Sequence, residues 1–320
     1  MNTGGTLQLA DNGTIAADIS MNGGVLDADN SLTISGAVTQ AGNATIDVAS
    51  GKTLTFDNGT ISTESYQLTV EGAGTVAFPA NASGIVVNNS AGLLKLNGTG
   101  TVQAARVTAA SNTGKGLEVN ASSTISSLTV AADTKLNIAS VKTLSGSVEV
   151  PANKTLSLIG TGTLDSALNL KGTLEAGANL TVSGTISVAD NATVSIPASG
   201  TTLTYSGGDI NVGAHTLSIA GAGTFSNASG SSLVLTPESS SASWSENFTY
   251  GITQSQTIKN SWTNFIAGLT TDDGWDKVTI RGSRDATGKT CDDPAFVSSL
   301  VNYLNGSGSP VSSTTVNGKK

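Results

Sequence analysis

The sequence predicts an all-β fold, a parallel β-helix (β-solenoid) of about nine or ten coils that spans residues 1–236. The first support is a duplication, because Gly51–Val76 returns without a gap as Gly200–Phe225. The second is the alternation of polar and apolar residues in short runs such as Thr53–Phe56, which indicates strands. The third is the spacing of the Gly-Thr pairs that open these runs. It is often a multiple of roughly 23–26 residues, the length expected of one coil.

The duplication extends upstream of these stretches and gives a repeat of about 148 residues. The matching segments share most apolar positions, and they are Leu32–Gly36 with Leu180–Gly184, Gly24–Ala28 with Gly172–Ala176, and Thr6–Leu9 with Thr155–Leu158. About six coils of the expected length would fill this repeat, and coils this long favour the right-handed form. Such short strands bury a face only by stacking, so we expect Leu, Ile and Val inside and Thr, Ser and Asn outside.

The individual strands are predicted from the same alternation, in chain order. In the first copy, about residues 3–76, the runs begin at Leu7, Ile15, Leu32, Ile46, Leu54 and Leu68. Residues 77–151 continue the pattern less regularly, and the second copy spans residues 152–225. Leu233–Leu235 is predicted as the last strand, after which Pro237–Ser243 breaks the pattern as a linker.

Residues 237–305 differ in composition from the solenoid and are predicted to form a small α+β domain that covers its open end. All the tryptophans lie there, as Trp244, Trp262 and Trp275. One helix is expected around Trp262 and a second after Asp293, an N-cap residue followed by Pro. Trp275–Arg281 alternates like a strand, and residues 306–320 are predicted to be a flexible tail.

The composition limits the classes of function. The chain has 320 residues, of which 12% are charged and 4% aromatic, with 38 Gly. Its many Val, Ile and Thr residues argue against a disordered chain. The net charge of −8 argues against nucleic acid or an anionic membrane as a partner, since both attract basic surfaces. The sequence has neither a membrane-spanning apolar stretch nor a recognisable leader peptide, so we expect a piece of a longer protein or a mature subunit.

The runs Gly72–Thr75 and Thr53–Phe56, which both recur in the second copy, are typical of one group of β-helical proteins. On these motifs, residues 1–236 resemble the passenger regions of bacterial autotransporters and the filamentous-haemagglutinin-like adhesins. The resemblance concerns the architecture, which phage tailspikes and polysaccharide lyases share. It implies a bacterial cell-surface or extracellular location and a structural, adhesive or filament-forming role.

Few residues are candidates for chemistry. Asp27 and Asp29 could form a carboxylate pair for glycoside cleavage or for Ca²⁺. The second copy has Glu175 and Gly177 at these positions, which favours a solvated turn. His215 is the only histidine and cannot complete a metal site by itself, so neither a metal nor a cofactor is expected.

Three further patterns have simple explanations. Gly282–Thr290 resembles a phosphate-binding loop but has five residues between its glycines instead of four, which argues against nucleotide binding. Several Asn-x-Thr triplets match glycosylation acceptors, among them those at Asn12, Asn43, Asn58, Asn97 and Asn191. A turn Asn followed by a strand-opening Thr accounts for them equally well. The single cysteine, Cys291, excludes an internal disulfide.

Two kinds of surface site remain for the solenoid. Thr53 with Thr55, and Thr202 with Thr204, could belong to an outward threonine array of the kind that ice-binding solenoids use, but most coils offer a single Thr or Ser. Sugar binding along the solenoid needs exposed aromatic residues, and several of those present are in inward phase. If the chain has a ligand site, its contacts are expected in the tail, at Trp244, Trp262 and Trp275, although a small hydrophobic core explains the same residues.

The function predicted from the sequence is a non-enzymatic, extracellular structural or adhesive segment of a bacterial surface protein. The alternative is a carbohydrate-binding or carbohydrate-degrading β-helix with a surface glycan as partner, and the third is an ice-binding solenoid. The carbohydrate alternative needs Asp or Glu with Arg or Lys on consecutive coils; the sequence reveals no such cluster, and Arg106 is the only arginine of the solenoid. Thr6–Leu9 is a regular strand without a cap, so we expect continuation in a larger chain or end-to-end self-association.

Overall fold

Strands make up all the regular secondary structure of the described residues. The computed structural model describes residues 4–111, 116–208, 210–211 and 215–227, and after them the strands at 233–235, 248–252, 256–258 and 278–280. These strands form a parallel β-solenoid of about ten turns, as the sequence predicts. The chain divides into two units, Met1–Ala167 and Leu168–Lys320, and the division falls within the strand Thr163–Leu170.

The first unit consists of short strands joined by tight corners. In chain order they are β1 (Thr6–Leu9), β2 (Gly13–Ile15), β3 (Ile19–Met21), β4 (Val25–Ala28), β5 (Leu32–Ile34), β6 (Val38–Gln40), β7 (Ala44–Val48), β8 (Thr53–Phe56), β9 (Thr60–Ser62), β10 (Gln67–Gly72), β11 (Thr75–Ala77), β12 (Gly84–Val87), β13 (Leu93–Leu96), β14 (Thr101–Val107), β15 (Leu117–Val119), β16 (Ser123–Val130), β17 (Thr134–Ile138), β18 (Thr143–Val150) and β19 (Thr155–Leu158), and β20 (Thr163–Leu170) reaches into the second unit.

Each strand of this unit stacks in parallel on the strand at the same position of the next coil, which produces three faces. The first face has the order β1-β4-β7-β10-β13-β15-β17-β19. The second face has the order β2-β5-β8-β11-β14-β16-β18. The third face contains β3 and β6, and then β9, β12 and the later halves of β14, β16 and β18. In β14, β16 and β18 one long strand therefore serves two faces.

The coils differ in length more than the sequence predicts. On the first face the offset between paired residues ranges from 19 (Thr6 with Val25) to 26 (Gln67 with Leu93). The predicted range of roughly 23–26 is therefore wrong for the shorter coils. One of the short coils runs from Leu117 to its partner Leu136. In this coil no separate corner segment interrupts β16, which continues from the second face into the third. Seven strand-to-strand steps, rather than about six, lie between β1 and β19.

Apolar side chains fill the interior in the phase that the alternation predicts. Leu54 and Phe56 on β8 are 0% and 2% exposed, whereas Thr55 between them is only half-buried. On the first face the buried Leu68 lies opposite Leu94 in the next coil. Full burial of one such side chain stabilises the fold by about 1.5–3 kcal/mol. The prediction that Leu, Ile and Val point inward is confirmed for the described coils.

The Gly-Thr pairs that begin at Gly74 and Gly162 mark places where one coil crosses closely over a turn of the coil before it. A Cβ atom added to Gly74 would lie 2.4 Å from the carbonyl oxygen of Ala49, and one added to Gly162 would lie 2.5 Å from that of Ala139. The Thr that follows each Gly donates its N–H to the same turn, as Thr75 does to the Lys52 carbonyl oxygen at 2.9 Å. The motif thus exists because no larger residue fits at this crossing.

The second unit is built in the same way from strands at the positions that the duplication predicts. They are β21 (Thr173–Ala176), β22 (Leu180–Val182), β23 (Ile186–Val188), β24 (Ala192–Ile196), β25 (Thr202–Tyr205), β26 (Ile210–Asn211), β27 (Leu217–Gly221), β28 (Thr224–Asn227), β29 (Leu233–Leu235), β30 (Phe248–Ile252), β31 (Gln256–Ile258) and β32 (Val278–Ile280). The strands β24, β27 and β30 pair in parallel, β31 is antiparallel to β30, and β32 pairs in parallel with β29.

Parts of the predicted C-terminal domain lie outside the described residues. The strand expected within Trp275–Arg281 is present as β32. The helices expected around Trp262 and after Asp293, the linker Pro237–Ser243 and the tail from residue 306 fall outside the described part of the chain.

Candidate functional site

Three carboxylates lie side by side on the outer side of the first face, on three consecutive coils. Asp27 on β4 is paired with Asp47 on β7, which is paired in turn with Glu71 on β10. Their strand neighbours Leu26 and Ile46 are fully buried, so the three carboxylates point away from the core. Neighbouring strands lie about 4.8 Å apart, which places successive side chains of the set within contact distance. We call Asp27, Asp47 and Glu71 the carboxylate column.

The sequence predicts no cluster of Asp or Glu with Arg or Lys on consecutive coils, and the carboxylate column, which is purely acidic, was not apparent from it. The offset from Asp27 to Asp47 is 20 residues and that from Asp47 to Glu71 is 24. No single period connects the three residues, so a search for regular spacing misses them. For Asp27 and Asp29 the sequence favours a solvated turn over a carboxylate pair. Asp29 is exposed and accepts a hydrogen bond of 2.7 Å from Gln8 Nε2.

Crowding within the carboxylate column changes the acidity of its middle member. Partial burial raises the pKa of Asp47 above its usual range, and the nearby charges of Asp27, Glu71 and Asp29 raise it further. Next along the face, Asn97 Nδ2 donates to Glu71 Oε1 at 3.3 Å. The column therefore passes from mutually repelling carboxylates to an amide that hydrogen-bonds the last of them.

The acidic character is concentrated in the first copy. Residues 1–76 contain eight Asp and Glu and a single Lys, so this quarter of the chain carries most of the net charge of −8. The nearest cation by register is Lys95, which stands opposite Thr69 on one side and Glu118 on the other. The carbohydrate alternative required acidic and basic residues together, and only the acidic part forms a column.

The second face has hydroxyl groups in register over several coils. One column comprises Thr53, Thr75, Thr101, Thr124 and Ser145. A second comprises Thr14, Thr33 and Thr55. We call the two sets the hydroxyl columns. The sequence predicts a single Thr or Ser on most coils and therefore no array. One hydroxyl residue per coil is nevertheless enough for a continuous column, because the strand register aligns these residues from coil to coil.

Asparagine and serine side chains at the corners are used to hold neighbouring coils together. Asn43 Oδ1 accepts the N–H of Gln67 at 2.9 Å, and at the equivalent place in the second copy Asn191 Oδ1 accepts the N–H of Thr216 at 2.8 Å. The same bond is made toward the next coil by further corner residues, which are Ser31, Ser111, Ser122, Asp133 and Asn179. Asn88 makes it toward the preceding coil, where it accepts the N–H of Glu64. The simple explanation of the Asn-x-Thr triplets therefore applies to Asn43 and Asn191.

The solenoid's aromatic residues are mostly internal. Phe56 stacks on Phe78 with ring centroids 5.7 Å apart, and Tyr205 stacks on Phe225 at 6.2 Å. All four are at most 4% exposed, as their inward phase predicts. His215 is half-buried and lies just before β27.

The remaining predicted contacts lie outside the described residues. These are Trp244, Trp262, Trp275, Cys291 and Gly282–Thr290. The exposure and contacts of these side chains therefore remain predictions of the sequence.

Across the described part of the chain, no group of three or more His, Cys, Asp or Glu residues is arranged to hold a metal ion. Nor do the described residues contain a helix long and apolar enough to cross a bilayer. Comparison with family models, with curated proteins and with solved structures gave no match to this chain. What is shown is the architecture itself, a parallel β-solenoid defined by its own strand register.

Proposed function

We propose that this chain is a non-enzymatic, rigid structural segment of an extracellular bacterial protein of the surface or filament-forming kind. The observation that supports this proposal most directly is the use of the corner side chains. Asn43, Asp133 and Asn191, which in another setting could bind a ligand, accept backbone N–H groups of the next coil. Hydrogen bonds of this kind each stabilise the stacking by about 1 kcal/mol.

Two further observations favour a structural role. The core is built mainly of Leu, Ile and Val in both copies, with Leu54 on β8 and Leu203 on β25 both 0% exposed. The outer positions of the strands carry short polar side chains, such as Thr53 and Thr75, rather than the aromatic side chains that sugars stack on. In solenoids each coil contacts only its neighbours, so rigidity grows with the number of stacked coils.

A direct test is the assembly state of the purified chain, since stacking can continue onto another subunit through β1, which pairs with β4 by parallel register. Light scattering over a concentration series should show oligomers, and a charged extension before Thr6 should dissolve them. A chain that remains monomeric at every concentration would reject end-to-end assembly. Binding to a panel of polysaccharides, measured in parallel, should be absent from a purely structural segment.

The second candidate function is carbohydrate cleavage at the carboxylate column. Glycoside hydrolysis uses two carboxyl groups about 5–10 Å apart, of which one is kept protonated by a raised pKa. Neighbours in the column meet the shorter spacing, and the pKa of Asp47 is raised by burial and by Asp27 and Glu71. Release of reducing ends from a polysaccharide panel tests this role. Asp47→Asn should abolish any release, while Asp57→Asn, at an exposed turn, should not.

The third candidate, ice binding, is favoured only by the hydroxyl columns. These columns repeat at the strand spacing of about 4.8 Å, one over five coils and the other over three, which is the regularity that a crystalline surface could match. Inhibition of ice recrystallisation tests it. Thr101→Lys in the middle of a column should weaken inhibition, and Thr129→Lys on the third face should leave it unchanged. A chain without inhibition at high concentration would remove this candidate.

A further inference from the structure

The described residues contain four Asn-Gly pairs, which differ in exposure and in the hydrogen bonds that hold them. They begin at Asn12, Asn22, Asn58 and Asn97. In such a pair the backbone nitrogen of Gly can attack the side-chain carbonyl carbon Cγ of Asn, because Gly has no Cβ to obstruct the approach. A new N–Cγ bond forms, the Cγ–Nδ2 bond breaks and ammonia leaves. Water then opens the cyclic imide to give aspartate or isoaspartate.

At two of the pairs the attacking N–H is held by a hydrogen bond. The N–H of Gly59 donates to the Phe56 carbonyl oxygen at 3.1 Å. The N–H of Gly98 donates to the Val70 carbonyl oxygen at 3.2 Å. Attack requires these bonds to break, and each bond that must open first slows the reaction by about fivefold.

At the pairs that begin at Asn97 and Asn22, the Asn side chain is held in place. Asn97 Nδ2 donates to Glu71 Oε1, and Asn97 Oδ1 accepts from Asn120 Nδ2 at 3.1 Å. Asn22 Oδ1 lies against the next coil, where a Cβ added to Gly42 would be only 2.5 Å away. Rotation of these side chains toward their own backbone therefore requires a local opening of the coil stack.

The pair at Asn12 is the one of the four in which the glycine is exposed as well as the asparagine. Asn12 and Gly13 are both exposed, and a Cβ added to Gly13 would meet no atom within 4 Å. Gly13 opens β2, which is paired with β5 of the next coil.

We propose that Asn12 is a site of spontaneous conversion to aspartate or isoaspartate, and that it reacts well before Asn58 and Asn97 in the folded protein. The product adds a carboxylate beside Asp11, in the part of the chain that already contains the carboxylate column. It also removes the Asn-Gly-Thr acceptor triplet at residue 12.

The test is an incubation of the full chain in ¹⁸O-labelled water at mildly alkaline pH, followed by peptide mapping. The label marks conversions that occur during the incubation. The same incubation in urea gives the rate at each site without the fold, and the ratio of unfolded to folded rates measures protection. We expect the smallest ratio at Asn12, a larger one at Asn58, where the attacking N–H is held by the Phe56 carbonyl oxygen, and a hundredfold or more at Asn97 with its three bonds.

A matched variant completes the design. Asn12→Gln, at an exposed position, should remove the labelled product from the first peptide and leave the other peptides unchanged. Peptides with Asn305 and Asn317 are scored separately, since these residues lie outside the described part of the chain. Protection at Asn12 equal to that at Asn97, or conversion of Asn58 as fast as that of Asn12, would overturn the proposal.

Discussion

Val141 occupies a backbone conformation that β-branched residues rarely adopt. Its φ is 57°, and its side chain is 87% exposed in the turn between β17 and β18. The same turn occurs between β7 and β8, where Gly51 has a φ of 71°. In both turns the next residue donates its backbone N–H to the carbonyl oxygen of an Ala three residues earlier. These bonds join Lys142 to Ala139 and Lys52 to Ala49, each at 3.0 Å. The two turns thus differ by the residue at the strained position.

The first prediction exchanges these two residues. Val141→Gly should raise the free energy of unfolding by about 0.5–1 kcal/mol. The left-handed conformation costs a residue with a Cβ roughly 1–2 kcal/mol, and removing this cost is partly offset because glycine loses more backbone entropy on folding. Gly51→Val should lower the free energy of unfolding for the same reason. Urea denaturation of both variants measures the two shifts. Shifts of the same sign would show that the turns are not equivalent.

The second prediction concerns the pH dependence that Asp47 introduces. The pKa of Asp47 is higher in the folded protein than in the unfolded chain, so the folded state binds the proton more tightly. Stability from this group therefore increases as the pH falls from neutrality through the folded pKa, and the gain ends below the ordinary value of about 3.9. Asp47→Asn should be more stable than the wild type at pH 7.

Chemical denaturation at several pH values measures this difference, which should shrink to nothing in acid. The control is Asp57→Asn, at an exposed turn outside the column. Equal effects of the two substitutions at pH 7 would show that Asp47 is not destabilised by Asp27 and Glu71.

At the scale of the strand and its corner, the close crossing at Gly74 leaves no room for a side chain. A side chain there would meet the Ala49 and Lys52 carbonyl oxygens and the Val48 side chain, all within 2.7 Å. Two of these contacts are backbone atoms, which cannot move without shifting the turn below. The same three kinds of contact recur at Gly162.

The third prediction is that Gly74→Ala lowers the free energy of unfolding by about 1–3 kcal/mol through overpacking. Ala73→Ser, one residue earlier and exposed, should change it by less than about 0.5 kcal/mol. Thermal or urea unfolding distinguishes the two. A silent Gly74→Ala would mean that the crossing can widen without loss of the strand pairing between β8 and β11.

At the scale of the whole molecule, stability is distributed over many similar contacts. Leu54 in the first unit and Leu203 in the second are equivalent in the duplication, and both are 0% exposed. Because a coil contacts only its neighbours, damage to one coil should spread to adjacent coils before distant ones.

The fourth prediction tests this locality by hydrogen exchange. Leu54→Asp buries an unpaired charge, at a cost of several kcal/mol, and should lower protection in the coils around β8 while β24 and β27 stay protected. Leu203→Asp should do the reverse. Thr55→Asp, at a half-buried outward position, is the control and should be nearly silent. Equal loss of protection along the chain in both variants would contradict local unfolding.

The sequence by itself determined which residues point inward, where the strands lie and that the arrangement is a solenoid. Those properties depend on the alternation of period two and on a duplication whose strands recur at matching positions. Phe56 and Tyr205, equivalent in the two copies, are both buried as their phase requires.

The tertiary structure alone decided which outward side chains become neighbours. Coils of 19 to 26 residues shift the partner of each strand by an amount that the local sequence does not reveal. Asp27, Asp47 and Glu71 therefore form a column although their spacings differ, while Asp29, two residues after Asp27, accepts a hydrogen bond from Gln8. The physical reason is that coil length is set by how each corner closes. Backbone hydrogen bonding then fixes the register between strands that are distant in the chain.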